Sequence, residues 1–190
     1  MKKLLLTAII TITTGCASMT HTQHESSGHL LPKKLDDLQL ITTTEFNETS
    51  RSSSASYRSP TTTSTVYFRD ADISKTDYYD VSKQGLAVTV PFDTTLYEGT
   101  ATVTIKGEDI EGQVLRVYDS NNAAKSKDIT MTYVSSIGVW EIDDALVKVR
   151  TTKFGLLGPG ATDSTLELIQ DTENAILTGI FDQPEAAENK

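Results

Sequence analysis

Apolar and polar residues alternate with a period of two along most of the chain from residue 65 onward. In one clear run, Ala101, Val103 and Ile105 alternate with three threonines and a lysine. Such alternation is typical of an antiparallel strand with one face in the core and the other in solvent. The pattern predicts strands at 65–68, 86–92, 100–106, 114–118, 129–133, 139–142, 145–151, 165–169 and 175–181.

Short connectors rich in glycine, asparagine, aspartate or serine separate several of these predicted strands. They lie at 107–112, 121–122, 135–138 and 171–174, and such compositions favour hairpins between neighbouring strands. No stretch shows the sustained 3.6-residue periodicity of an amphipathic helix, although 140–149 is ambiguous. We therefore expect an all-β fold: an antiparallel β-sandwich or small barrel of about eight to nine strands.

Two stretches depart from this alternation. Residues 47–64 are rich in serine and threonine and have almost no apolar content, too little to offset the entropy of ordering. We interpret them as a mobile loop; the alternative is an extended edge strand that orders against a partner. The glycine-flanked segment 155–160 is predicted to be an exposed loop, which makes Leu156 and Leu157 a candidate interaction site; the alternative is that the two leucines fold over the core.

The first residues of the chain follow another pattern. Lys2 and Lys3 precede a nearly unbroken apolar run at 4–12. As a helix this run would rise about 14 Å, at roughly 1.5 Å per residue, against a bilayer core of about 30 Å. It is therefore too short to span a membrane, and it fits a cleavable export signal.

The sequence that closes this segment, TTGC at 13–16, resembles the lipobox of bacterial lipoproteins. Gly15 and Cys16 match that motif, whose first position holds threonine here where leucine is usual. The resemblance implies a signal peptide at 1–15 and a diacylglyceryl group on the Cys16 sulfur. Residue Ala17 replaces the aspartate that retains enteric lipoproteins at the inner membrane, so in a diderm bacterium the resemblance implies the cell outer membrane.

Charge and cysteine content agree with a lipid anchor. The net charge is −9, with 26 acidic against 17 basic residues. This balance disfavours nucleic acid and anionic membrane surfaces as partners, because both recruit lysine and arginine. A lone cysteine in an exported chain cannot form an internal disulfide, and lipidation of Cys16 explains its presence. We expect the lipid, and not the protein surface, to hold the protein to the membrane.

The predicted domain organisation is simple. Residues 16–33 are predicted to be the lipidated cysteine followed by a flexible, disordered tether. A single β domain is predicted at 34–183, with the Ser/Thr-rich loop at 47–64 inside it and a disordered tail at 184–190. A chain of 190 residues suffices for one domain with a substantial core.

All three histidines of the chain fall in the predicted tether. Imidazoles at these spacings could bind copper, nickel or zinc weakly on a flexible segment. The alternative is a solvated spacer without metal. The candidate ligands are His21, His24 and His29.

Past residue 29 the chain contains no histidine and no cysteine. The folded domain therefore has no Ser-His-Asp triad, no cysteine nucleophile and none of the usual zinc or haem ligands. Asp70, Asp72 and Ser74 begin like a calcium loop, but Lys75 stands where that loop needs glycine. We predict no catalytic residues and no cofactor apart from the covalent lipid.

Together these patterns predict a non-enzymatic cell-envelope lipoprotein. Its β domain, tethered to the outer membrane, would act by binding another envelope protein or in envelope assembly. The alternative is a carrier for a small apolar or envelope-derived ligand, and a carboxylate-based enzyme acting on glycan ranks last. Nucleic acid is not an expected partner.

Overall fold

Eleven strands and two helices make up the described part of this computed structural model. The structure describes residues 21–23, 29–47, 52–90, 92, 94–118, 123–126 and 128–183. The strands are β1 (His21–Gln23), β2 (Leu30–Pro32), β3 (Lys34–Leu35), β4 (Leu38–Asn47), β5 (Ser52–Arg58), β6 (Thr62–Asp70), β7 (Thr95–Ile105), β8 (Glu108–Tyr118), β9 (Ala124–Ser126), β10 (Ile129–Ile142) and β11 (Ala145–Leu157), and the helices are α1 (Lys75–Thr89) and α2 (Ala161–Phe181).

One antiparallel sheet organises these elements. Eight strands follow the order β3-β4-β5-β6-β11-β10-β8-β7, and β9 pairs with the start of β10. Strand β11 links the two halves of the sheet, because it pairs with β6 on one side and with β10 on the other. Strands β1 and β2 form a separate two-stranded antiparallel sheet. The prediction of an all-β, antiparallel fold is confirmed.

The two helices cover opposite faces of the sheet, which we call the α1 face and the α2 face. Successive residues of a strand point to opposite faces. Trp140 and Val147 thus pack with residues of α2, whereas their chain neighbours Val139 and Leu146 pack with residues of α1. The centre of the sheet is therefore buried on both faces.

Trp140 has the largest fully buried side chain among the described residues, and it lies in the core beneath α2. Its ring lies against Gly112 on the neighbouring strand and against Gly138 on its own strand. A Cβ atom at either glycine would overlap the indole, so both positions need a residue without a side chain. Gly138 and Gly112 therefore make room for the Trp140 ring in the core.

Both helices lie where the alternation predicted strands. The predicted strands at 165–169 and 175–181 belong to α2, and the predicted strand at 86–92 lies largely in α1. In α1 the buried Tyr78, Tyr79, Ser82 and Leu86 are interspersed with exposed Val81 and Val88, which blur the helical period.

The predicted Ser/Thr-rich loop at 47–64 also takes a different conformation. Strand β5 and the start of β6 occupy most of it, and residues 48–51 lie outside the described residues. Ala55 and Tyr57 are fully buried. The buried Ser64 hydroxyl bonds to that of Thr151 on β11, 2.8 Å away. Cross-strand hydroxyl pairs thus let a polar stretch lie inside a sheet.

Two predicted boundaries change as well. Leu31, placed in the tether by the sequence, is fully buried in the core beneath α2. The predicted loop at 155–160 is wrong at its start, because β11 continues to Leu157. The signal peptide at 1–15 and the tail at 184–190 lie outside the described residues and stay predictions. Neither described helix is long and apolar enough to cross a membrane.

Candidate functional site

Four large apolar side chains form an exposed ladder on the α1 face, at one end of β10 and β11. Met131 faces Leu156 across the two strands, and Tyr133 faces Phe154. Each of the four is 41–47% exposed. The rings of Tyr133 and Phe154 meet edge to face, with their centroids 5.6 Å apart. We call these four residues the apolar patch.

Strand alternation separates the two leucines that the sequence grouped together. Leu156 belongs to the apolar patch and is 44% exposed. Leu157 points to the α2 face and is buried there with Val134 and Ile169. The two side chains therefore do not form one interaction surface, because they lie on a strand and not on a loop.

Also on the α1 face, a groove of about 280 Å³ lies between α1 and strands β6 and β11. Two tyrosines and two cations line it, together with a serine and an apolar floor that includes Ile137. We call it the cationic groove. Its polar lining residues are Tyr67, Tyr78, Ser82, Lys148 and Arg150.

Lys148 lies between the two aromatic rings of this groove. Its Nζ atom is 4.1 Å from the ring centroid of Tyr67 and 5.4 Å from that of Tyr78. Burial, with a smaller effect from the charge of Arg150, lowers the pKa of Lys148 to about 8. Among the described residues, no carboxylate lies within 4 Å of this ammonium.

The remaining polar groups of the groove are also incompletely bonded. The Ser82 hydroxyl is buried, and no described residue accepts or donates a hydrogen bond to it. Arg150 donates from Nη2 to the Thr89 hydroxyl, 3.1 Å away. No described carboxylate binds the Arg150 guanidinium. The groove thus contains donors that the folded chain does not use.

The α2 face holds a charged cluster of the opposite kind. Glu173 on α2 is fully buried, and Arg116 donates to its Oε2 from 3.0 Å. Ser136 donates to Oε1, and Arg116 also donates to Gln170. Burial raises the pKa of Glu173, although Arg116 and the hydrogen bonds oppose this rise. Both carboxylate oxygens of Glu173 are bonded within the fold, and we assign the cluster a structural role.

A second groove, of about 390 Å³, lies outside this cluster along α2. Its rim carries Asp163, Glu167 and Asp171, next to Arg116. It is open to solvent, and the only cation among its lining residues is already bound to Glu173. We therefore assign no ligand to it.

The histidines predicted as weak metal ligands have separate positions. His24 lies outside the described residues, as does the lipidation site Cys16. His21 is the first residue of β1. The ring of His29 packs against Phe181 and Phe68, with centroids 4.5 and 5.4 Å away. In the described part of the chain, no three His, Cys, Asp or Glu side chains form a metal-binding group.

The stretch that begins like a calcium loop, at Asp70, Asp72 and Ser74, leads into the start of α1. The Ser74 hydroxyl caps α1 by accepting from the backbone N–H of Asp77, 3.1 Å away, and Asp77 lies in the first turn of that helix. Asp72 is held by Arg69 through two hydrogen bonds. These side chains start the helix and do not converge on an ion.

Sequence reasoning missed the cationic groove. The alternation at 145–151 indicated only a strand, which contains Lys148 and Arg150. The available signal was a pair of cations two residues apart, on one strand face, in an acidic chain. No protein-family model matches the chain, and a search of curated proteins returns no relative.

Proposed function

We propose that this protein is a non-enzymatic lipoprotein of the outer membrane whose β domain binds another envelope protein through the apolar patch. The patch carries this proposal. Exposed apolar residues are ordinary when scattered, but a contiguous group on paired strands marks an interaction surface. Here Met131, Tyr133, Phe154 and Leu156 adjoin one another and remain 41–47% exposed.

The composition and shape of the patch favour a protein partner over a small ligand. Tyrosine, phenylalanine and methionine are enriched in the buried centres of protein interfaces. Small ligands bind in concave sites, whereas these side chains stand on the surface of two paired strands. A chain of net charge −9 also favours a partner with basic residues around an apolar centre.

Support for the anchor and for the lack of catalysis comes from the sequence. Gly15 and Cys16 match the lipobox, and Cys16 would carry the lipid. The chain past residue 29 has neither histidine nor cysteine, which leaves few routes to catalysis. The alternative of a carrier for an apolar ligand has less support, because both grooves described above are lined by charged residues and the larger one is open to solvent.

Anchoring is tested by replacing Cys16 with serine. We expect Cys16→Ser to abolish palmitate incorporation and to release the protein from the membrane fraction. For the acylated protein we expect recovery with the outer membrane in a sucrose gradient. Unchanged labelling of the variant, or recovery only with the inner membrane, would contradict this part of the proposal.

Partner binding is tested by site-specific photocrosslinking in the native cell. A photoreactive phenylalanine analogue at Phe154 should capture one partner protein, and Tyr133→Ser with Leu156→Ser should abolish that adduct. The matched control places the same analogue at Val88, which is 87% exposed on α1. Equal adducts at both positions, or an adduct with the mass of two copies of this chain, would overturn the proposed heterologous interface.

A further inference from the structure

The cationic groove is the one place in the described chain where two unpaired cations share a partly buried site. Four other described cations bind a carboxylate of the chain itself: Arg69, Lys83, Lys106 and Arg116. Lys148 and Arg150 are among the described cations without such a partner, and both line this groove.

This arrangement is unfavourable without an anion. A buried charge loses hydration and needs a hydrogen-bonded counter-charge to compensate. The two tyrosine rings stabilise the Lys148 ammonium only in part, at roughly 0.5–2 kcal/mol for a cation–π contact. Arg150 adds repulsion, since its charge disfavours the charged form of Lys148. An anion between the two cations would remove both penalties.

Ser82 supplies an independent observation. Ser82 is one of the residues that line the groove, and its hydroxyl is buried without a hydrogen-bond partner among the described residues. Buried polar groups are bonded in the great majority of proteins, so each exception needs an explanation. A ligand oxygen in the groove would accept from this hydroxyl as well as from the two cations.

The number of donors and the apolar floor select the class of anion. Lys148, Arg150 and Ser82 together match the two oxygens of a carboxylate. An organic acid also has a carbon body, which the apolar lining at Leu86 and Ile137 can contact and an inorganic phosphate lacks. The volume of about 280 Å³ is at the small end for ligand sites, so the acid must be small.

We propose that the cationic groove binds a small organic monocarboxylate, held by ion pairs to Lys148 and Arg150 and by a hydrogen bond from Ser82. The apolar or aromatic body of the acid would lie against Ile137 and Leu86. This site is distinct from the apolar patch, and it does not depend on the proposed envelope partner.

The test uses benzoate as the probe and the purified full-length protein. Saturation-transfer NMR should detect benzoate binding, and benzamide, its neutral analogue of the same shape, should bind at least tenfold more weakly. Lys148→Met and Arg150→Gln should each weaken benzoate binding about tenfold, which corresponds to about 1.4 kcal/mol. Ser82→Ala should weaken it less, because it removes a neutral donor.

The matched control is Lys153→Met, which removes a cation from the same strand but from the α2 side. Its Nζ atom donates to the Thr62 hydroxyl, 3.0 Å away. Benzoate binding to this variant should change less than twofold. Equal binding of benzamide, tighter binding of inorganic phosphate, or unchanged binding by folded Lys148→Met and Arg150→Gln proteins would overturn the proposal.

Discussion

A charged side chain lies between the sheet and a helix on each face, and the two side chains differ in their hydrogen-bond partners. On the α2 face, Glu173 is fully buried and receives hydrogen bonds from Arg116 and Ser136. On the α1 face, Lys148 lies between aromatic rings in a groove without a carboxylate among the described residues. One charge is satisfied within the fold, and the other is not.

This difference indicates that the charge of Glu173 is structural, whereas that of Lys148 is available for binding. The Glu173 cluster joins α2 to β8 and β10, so disrupting it would disturb the docking of the helix. Lys148 instead lowers the stability of the folded state. Its pKa falls from 10.5 to about 8, and after allowance for its partial exposure this corresponds to about 2 kcal/mol. Removing each charge should therefore have opposite effects on stability.

The largest effect is expected from Glu173→Ala. This change leaves the guanidinium of Arg116, which is 6% exposed, buried without its carboxylate. Breaking one partner of a buried pair costs roughly 3–5 kcal/mol, which urea unfolding would measure. The double variant Arg116→Met with Glu173→Leu should recover most of that loss. A decrease in the free energy of unfolding of less than about 1 kcal/mol in the single variant would contradict a structural role for the pair.

A second pair of variants compares the two faces at adjacent residues of β11. Leu157→Asp places a carboxylate in the core beneath α2 and should lower the free energy of unfolding by about 3 kcal/mol or more. Leu156→Asp changes the exposed face and should cost less than about 1 kcal/mol. Thermal unfolding distinguishes the two. Equal destabilisation would mean that Leu156 is also a core residue.

A smaller effect of opposite sign is expected from Lys148→Met. Methionine keeps the apolar contact with Tyr67 and Tyr78 but removes the desolvated charge, so the protein should become about 1–2 kcal/mol more stable at pH 7. Lys153→Met, whose ammonium bonds to Thr62, should not stabilise the protein. Destabilisation by Lys148→Met would show that the cation contributes to folding.

The smallest effect is the pH dependence of that gain. Between pH 8 and 10.5 the unfolded chain keeps the Lys148 proton and the folded protein loses it, so wild-type stability rises with pH relative to the variant. The advantage of Lys148→Met should thus be full below pH 8 and shrink by pH 9.5. Burial raises the pKa of neighbouring Tyr78 to about 12, so this tyrosine stays neutral in the folded protein there. A constant difference from pH 7 to 9.5 would contradict the lowered pKa.

The sequence located strands where one face of the sheet is apolar and the other polar. In β7, buried Ala101, Val103 and Ile105 alternate with exposed threonines, and the pattern and the structure agree. The alternation did not predict β5, because its buried Ser53 and Ser54 are polar residues. Their fit in the sheet depends on neighbouring strands distant in sequence.

The helices and the groove were missed for a related reason. The buried face of α2 includes Thr165 and Glu173, so its apolar period is incomplete. The burial of Glu173 depends on Arg116, a residue of another strand. The predicted strand at 145–151 contains Lys148 and Arg150, but only the position of α1 turns part of its face into a groove. Local patterns do not contain that tertiary information.

The position of β11 between β6 and β10 has a consequence for how the chain folds. Strand β6 ends at Asp70 and β11 begins at Ala145, so this central pairing must close a long loop. Such non-local pairings slow folding, because the entropy of closure is lost before the contacts form. A nascent chain that stops before Ala145 would leave β6 and β10 with unpaired edges, which are prone to aggregate. We expect the sheet to assemble late, after its last strand has been synthesised.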